Sequence, residues 1–576
     1  MNWSKSMLDP LPQSAIEFSK WSWREIEPYF QELRERRLSA DNVDKWLTDW
    51  SRLSDLISEV YARLNVAVTI DTTDAQAEAA YNAFLDQIYP NVQAADQQLK
   101  EKLLASGLEP MGFEIPLRKM RAEAQLFREE NLPLLTQERK LSSEYNKIIG
   151  AQTVIWEGEE TTLQQLRREM QRPEREVREK AWRLAAERQL ADRQSINELW
   201  GKLFELRRRL AQNAGMSDYR AYRWMQMLRL DYSVEDCLQF QRAIEQEVVP
   251  AATRMYERRR QRMGLDRLRP WDLDLDLYPL DLPPLPRYGD VEDLAVKAEA
   301  AFRRVDPQLG DYFHTLRAEN LLDLDNHKGK APGAYCTAYP VLKRPFIFMN
   351  AVGLAADVRT ILHESGHAFH NFERFRLPYA QQRIPGLEFA EVASMAMELL
   401  ASPYLDAQPD GFYSPADAPR FRIAHLEHLL AFWPYMAVVD AFQHWAYTHE
   451  AEAMEASNCD AKWLELWQRF MPGVDWSGLE HEAMTGWQRK QHIHRSPFYY
   501  VEYGLAQLGA VQVWRNSLKD PKRALQQYRH ALSLGGMVTL PELYEAAGAR
   551  LAFDAETLGE AVRLIEDMLQ SMQTVQ

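Results

Sequence analysis

"ILHESGHAFH", residues 361–370, is the stretch on which the reading of this chain turns. In an α-helix, residues four apart sit one turn above each other, about 40° round the axis, so His363 and His367 leave the same face and can hold one ion. Glu364 lies about 100° further round, beside the pair but outside the ligand set, where a carboxylate can accept a proton from water. The residues before it, AADVRTIL (355–362), are good helix formers and supply the context the pattern needs. With 13 histidines in 576 residues, the number of accidental HExxH patterns to expect is roughly 0.02, so coincidence is a poor explanation.

Upstream, from about residue 15 to 262, Glu, Gln, Arg, Leu and Ala dominate, with apolar residues at three- and four-residue spacing. EREVREKAWRLAAERQLADRQSINELWGKLFELRRRLAQ (174–212) is typical and predicts long helices whose charges form solvated faces. The division expected is a helical N-terminal domain over residues 1–200, acting as scaffold and cleft wall, with the chemistry in 201–576. The sharpest break is RPWDLDLDLYPLDLPPLPRYG (269–289), where Pro279, Pro283, Pro284 and Pro286 forbid a helix and the alternation before them suggests an extended segment. A second irregular stretch, 323–350, carries Gly329 and Gly333 in a loop and then PFIFMN (345–350), a short strand ahead of the motif. Helical patterning then returns to the C-terminus, with no solenoid repeat and no low-complexity tail.

The whole chain narrows the classes. Its length suits two to four domains or one large helical enclosure. The 69 basic residues are outnumbered by 84 acidic ones, the net charge is −15, and no long Lys/Arg run occurs, which argues against nucleic acid or an anionic membrane as the main partner. The opening MNWSKSMLDPLPQ lacks a signal-peptide pattern, and the most apolar run, LLAFWPYMAVV (429–439), falls far short of the ~20 residues that span a bilayer. A soluble cytoplasmic protein is expected. Cys237, Cys336 and Cys459 are widely separated, so neither a disulfide framework nor a cysteine zinc site is available. Any metal must be held by His, Asp or Glu.

A catalytic zinc typically takes three protein ligands and leaves one position open. Glu373, six residues beyond His367, has the spacing of the third ligand in metzincins. That arrangement needs a glycine where His370 stands, and an unbroken helix turns Glu373 away. IPGLEFAEVASMAMELL (384–400), where Pro385 and Gly386 end a loop and a helix begins near Glu388, offers Glu388, Glu391 and Glu398. Spacing leaves these three open.

HESGHAFH followed by FAEVASMAMELL (389–400) resembles the thimet oligopeptidase and oligoendopeptidase F family of zinc metallopeptidases, whose pattern is HExGHxxH and then FxExxSxxxE. The resemblance implies His363, His367 and Glu391 as ligands of one Zn2+ per chain, with Glu364 as general base. It makes Glu398, two turns beyond Glu391, a carboxylate that steadies a ligand histidine. Ala393-Ser394 stand where the family often has Pro-Ser. The loop KGKAPGAYC (328–336) is similar to the family's glycine-containing loop over the substrate, and PFIFMN to the strand whose edge receives the peptide backbone. QHIHRSPFYYVEYGLAQLGA (491–510) is close to the oligoendopeptidase F branch. Ser496-Pro497 reads as the start of a helix, with His492 and His494 in the loop before it and Tyr499, Tyr500 and Tyr503 in its first two turns. By resemblance, His492, Tyr500 and Tyr503 hydrogen-bond the carbonyl oxygen as it becomes an oxyanion, and Tyr499 and His494 are the competing positions. His370 reads as packing, His425, His428 and His444 as structural, and Cys336 as a core residue near the cleft.

The fold implied is mostly α, a two-lobed helical clamshell enclosing a deep channel, with a small β-sheet beside the zinc helix and 201–576 as the catalytic metallopeptidase domain. The activity implied is zinc-dependent hydrolysis of internal bonds in short, unstructured oligopeptides, by a zinc-activated water with Glu364 as base. Peptides are then the partners, and no motif speaks to oligomeric state. Two other readings use the same fold. A catalytically inactive peptide-binding scaffold is opposed by the presence of Glu364 and all three ligands, and a carboxypeptidase-like exopeptidase needs a pocket for a terminal group that no motif marks.

Overall fold

The amphipathic patterns become helices because each can bury one stripe, and the described residues are mostly helical with two small sheets. The computed structural model describes residues 9–273, 284–406 and 410–574. Residues 274–283 of the proline-rich segment expected to be extended therefore lie outside the described residues, and Pro270–Asp272 at its start form one 3-10 turn. No helix among the described residues is long and apolar enough to cross a membrane.

Two large apolar cores divide the molecule. One gathers side chains between Ala15 and Met120, including the fully buried Trp46 and Trp50. The other runs from Ala62 to Leu569 and contains the motif region. The division expected at 200/201 falls inside the continuous helix Arg193–Asn213. The N-terminal half also departs from pure helix in a hairpin of β1 (Thr153–Trp156) and β2 (Glu159–Thr162). Its two-residue turn, Glu157-Gly158, takes positive φ at both positions, 51° and 93°, as the twist of a tight hairpin demands.

The second sheet holds β3 (Leu322–Asp325), β4 (Tyr335–Tyr339) and β5 (Arg344–Ala351), in the order β3-β5-β4. PFIFMN lies in β5, parallel to β3 on one side and antiparallel to β4 on the other. Both its edges are taken, so it is not the strand edge that sequence resemblance made it. The physical reason is its apolar run: Pro345 to Met349 are buried, which suits a central strand, whereas four of the five residues of β4 are only half-buried. The outer edge of the sheet on this side belongs to β4. Ala338 pairs with Pro345, which has no N–H, so by antiparallel alternation Cys336 and Ala338 aim their backbone groups outward.

The N-terminal lobe grips this sheet. On the helix Val43–Ile70, Glu59 accepts the backbone N–H groups of Val341 (2.9 Å) and Leu342 (3.0 Å) at the β4–β5 turn, and Arg63 pairs with it at 2.7 Å. Thr69 accepts Ala331 N–H through its carbonyl (2.8 Å), and its hydroxyl meets Tyr335 Oη at 2.5 Å. The loop between them turns at Gly329 and Gly333, with φ of 84° and 92°. The helix Ala355–Arg374, which carries the histidines, follows β5 directly. Its buried Asp357 accepts N–H groups of Val352 and Leu354, both at 2.8 Å, and the Tyr288 hydroxyl at 2.7 Å, fixing where the helix starts.

Candidate metal centre and active site

Three helices build the site: the motif helix Ala355–Arg374, the glutamate helix Leu387–Ala401 and the tyrosine helix Tyr500–Lys519. The first two touch most closely at Gly366. A Cβ there would stand 2.5 Å from both the Ala393 carbonyl oxygen and Ser394 Cα, so only glycine allows this approach.

His363, His367 and Glu391 come together, with one ligand atom from each all within 4.8 Å of one another. His363 Nε2 and His367 Nε2 lie 3.3 and 3.4 Å from the same oxygen, Glu391 Oε2. Burial works against ionisation of Glu391, yet the facing histidines hold its carboxyl below the ordinary range. Of the other two carboxylates left open, Glu388 is turned to the Tyr232 hydroxyl (2.5 Å) and Arg229 (3.8 Å), and Glu398 accepts from His363 Nδ1 at 2.7 Å. Glu373 pairs with Arg529 at 2.7 Å. His370 is buried edge-on against Phe389.

Glu364 is buried, and its Oε2 has no hydrogen-bond partner among the described residues. Burial pushes its carboxyl above the ordinary value. A buried oxygen with nothing to bind, beside two imidazoles and a carboxylate, fits a proton acceptor next to a catalytic zinc, for which this trio is a normal donor set.

The third helix begins at Tyr500, not at Ser496. Phe498 takes a φ of 61°, its N–H is bound by Gln443 at 2.7 Å and its carbonyl by Arg229, which delays the helix. His492 and His494 accordingly lie in a separate short helix, Gln491–Arg495, and not in a loop. His492 Nε2 is 3.3 Å from Tyr503 Oη. Burial, and then the charge of Glu391 and Glu364, raise the Tyr503 hydroxyl far above its usual range, so it remains a donor. Tyr499 donates to Glu391 Oε1 at 2.5 Å. Tyr500 faces elsewhere: Lys490 Nζ lies 3.9 Å over its ring, Tyr435 packs edge-on, and its hydroxyl finds no partner among the described residues. His494 is stacked between Tyr145 and Trp487 in the core.

Sequence reasoning missed three contacts. His425, read as structural, places Nε2 3.0 Å from Glu398 Oε2, forming a line from His425 through Glu398 to His363. Tyr499 supports the glutamate, and Gly366 sets the helix spacing. Only Gly366 left a trace in sequence, as the glycine of HESGH. Cys336 is half-buried with its thiol raised by burial, the Glu364 charge adding to this, so it is a poor nucleophile.

Solved structures share this fold along nearly the whole chain. The solved structure of PZ peptidase A with an inhibitor matches with a TM-score of 0.89 and 27% identity, covering 98% of this chain and 99% of its own. A crystal structure assigned as an oligoendopeptidase F gives a TM-score of 0.91, also at 27% identity, covering 97% of this chain and all of the other. Oligopeptidase PepF of Bacillus subtilis (strain 168) is 24% identical over 337 residues, 56% of this chain and 47% of its own length. The chain thus spans about half the length of the curated relatives it matches. Residues 14–111 match the peptidase M3 N-terminal domain. Because the pattern of peptidase family M3 runs from residue 169 to 562, through every helix that brings the histidines, glutamates and tyrosines together, the chain belongs to that family.

Proposed function

We propose that this protein is a zinc-dependent endopeptidase of the oligoendopeptidase F type, acting on internal bonds of short, unstructured peptides. The observation that carries this is the convergence of His363, His367 and Glu391 beside the buried carboxylate of Glu364, whose Oε2 has no partner among the described residues. His363, His367 and Glu391 would hold a zinc ion, which would supply Lewis acidity to lower the pKa of a water and polarise the peptide carbonyl. Glu364 Oε2 takes the proton of the attacking water and passes it to the leaving nitrogen. The Tyr503 hydroxyl, lined up by neutral His492, donates to the carbonyl oxygen as it gains charge. Tyr499 and Glu398 hold Glu391 and His363 in place. The peptide is read through its main chain by the outward groups of Cys336 and Ala338 on β4, which serve any sequence alike.

The test is Glu364→Gln. It should keep about one zinc per chain by elemental analysis and still bind peptide, while turnover falls by about 10²- to 10⁴-fold. Near-normal hydrolysis by this variant would show that the water is activated by another group, and a zinc-loaded parent that cuts no peptide would favour a binding scaffold.

A further inference from the structure

Beside the site stands a cation without a counterion. Lys490, two residues before His492, is half-buried, and among the described residues its ammonium makes neither a hydrogen bond nor an ion pair. It lies 3.9 Å over the Tyr500 ring and 5.2 Å from the centre of the Tyr435 ring. Burial pushes it down to about 7, and no carboxylate among the described residues offsets this, in a chain with 15 more acidic than basic residues. Such a lysine is costly to keep unless something negative meets it.

The surroundings lead from Lys490 to the reacting centre. Tyr500 touches Tyr503 at 5.4 Å between ring centres, and Phe432 packs on both. Phe432 and Tyr435 also wall a cavity of about 410 Å3, to which Arg167, Arg359 and His428 contribute. Among the described residues the one carboxylate lining it, Glu427, is already paired with Arg259 at 3.2 Å. This side of the site is therefore walled by aromatic rings, with the guanidinium groups of Arg167 and Arg359 at its far end.

We propose that Lys490 is a specificity-determining residue whose ammonium docks a carboxylate of the bound peptide, either its chain terminus or an Asp or Glu side chain. The inference rests on the peptidase reading above for the identity of the ligand. At about 3.3 Å per extended residue, the two ring contacts between Lys490 and Tyr503 put that carboxylate roughly two or three residues from the bond that is cut. The aromatic wall takes the side chains between.

The competing role is structural, with Lys490 merely propping Tyr500 through its ring face. Binding separates the two. Fluorescent peptides would be titrated onto zinc-loaded Glu364→Gln protein in matched pairs: free acid against C-terminal amide, and Glu against Gln at each position. The acid of one pair should bind about 10- to 100-fold tighter than its neutral partner, the range of a charge-assisted hydrogen bond. Lys490→Met in the same background should erase that difference while leaving the neutral peptide's affinity unchanged, and Lys490→Arg should restore part of it. Sensitivity to amidation alone identifies the chain terminus as the docked group, and sensitivity to Glu→Gln alone identifies a side chain. Absence of any acid preference, its survival in Lys490→Met, or equal weakening of acid and neutral peptides overturns the proposal. If the parent enzyme cuts nothing yet the acid preference depends on Lys490, the catalytic reading falls and the carboxylate site stands.

Discussion

Tyr499 and Tyr503 sit one helical turn apart and face the same cluster, yet their hydroxyls end in different places. Tyr499 donates to a carboxylate that is itself a candidate ligand, so removing its hydroxyl unseats Glu391 and should act on the metal. Tyr499→Phe should weaken zinc retention by about 10- to 100-fold, read by competition with a chelator, the usual cost of losing a contact that orients a ligand. The Tyr503 hydroxyl, by contrast, meets only His492 among the described residues and touches no candidate ligand. Tyr503→Phe should leave zinc in place and KM little changed while kcat falls by about 10²- to 10³-fold, since the hydroxyl is needed only as charge develops. If Tyr499→Phe instead lowers kcat with zinc retained, the two roles are exchanged. Tyr500 turns to Lys490, and its removal should show in peptide affinity.

At the scale of elements, the motif and glutamate helices depend on one glycine. A methyl group at Gly366 meets backbone of the facing helix, which cannot swing aside as a side chain can. Gly366→Ala should therefore push the helices apart, costing about 1–3 kcal/mol in denaturant unfolding and loosening zinc in step, since the histidines and Glu391 stand on opposite sides of that contact. Both helices were legible in sequence because their periodicity is strong and HESGH fixes one face. The choice of Glu391 over Glu388 came from resemblance alone, since what separates them is the pull of Tyr232 and Arg229 on Glu388, residues 156 and 159 positions away. The strand PFIFMN was legible, but its place in the sheet was not, because order depends on where β3 and β4 pair. The late start of the tyrosine helix was hidden for the same reason: Gln443 and Arg229 hold Phe498 from outside the segment. The hairpin at 153–162 did carry a local sign, a Val-Ile-Trp run before Glu-Gly, overshadowed by the helical residues on either side.

Over the whole molecule, N-terminal helices close around the chemistry by contacts that span most of the chain. Tyr145 donates to the Gln488 carbonyl at 3.1 Å, Arg207 binds the His494 carbonyl, and Asp55 pairs with Arg383 at 3.0 Å. Within this enclosure the His363 and His367 side chains remain only 18% and 17% exposed. The same lobe ties the glycine loop at Thr69 and Thr72, just before β4, whose residues are mostly half-buried. A folded domain of 100 residues has a radius of gyration of about 13 Å and cannot bring a bond to such a site, whereas a single extended strand can lie along β4. Local unfolding of a large substrate helps little, because the chain on both sides of the cut must also enter. Activity should therefore be confined to short peptides: with a native protein, its denatured full-length chain and peptides of graded length, mass spectrometry should find cuts only in the peptides, with rates falling as length grows. Efficient cutting of the denatured full-length chain would mean that the lobes part widely enough to admit it, and that selection by size lies outside this fold.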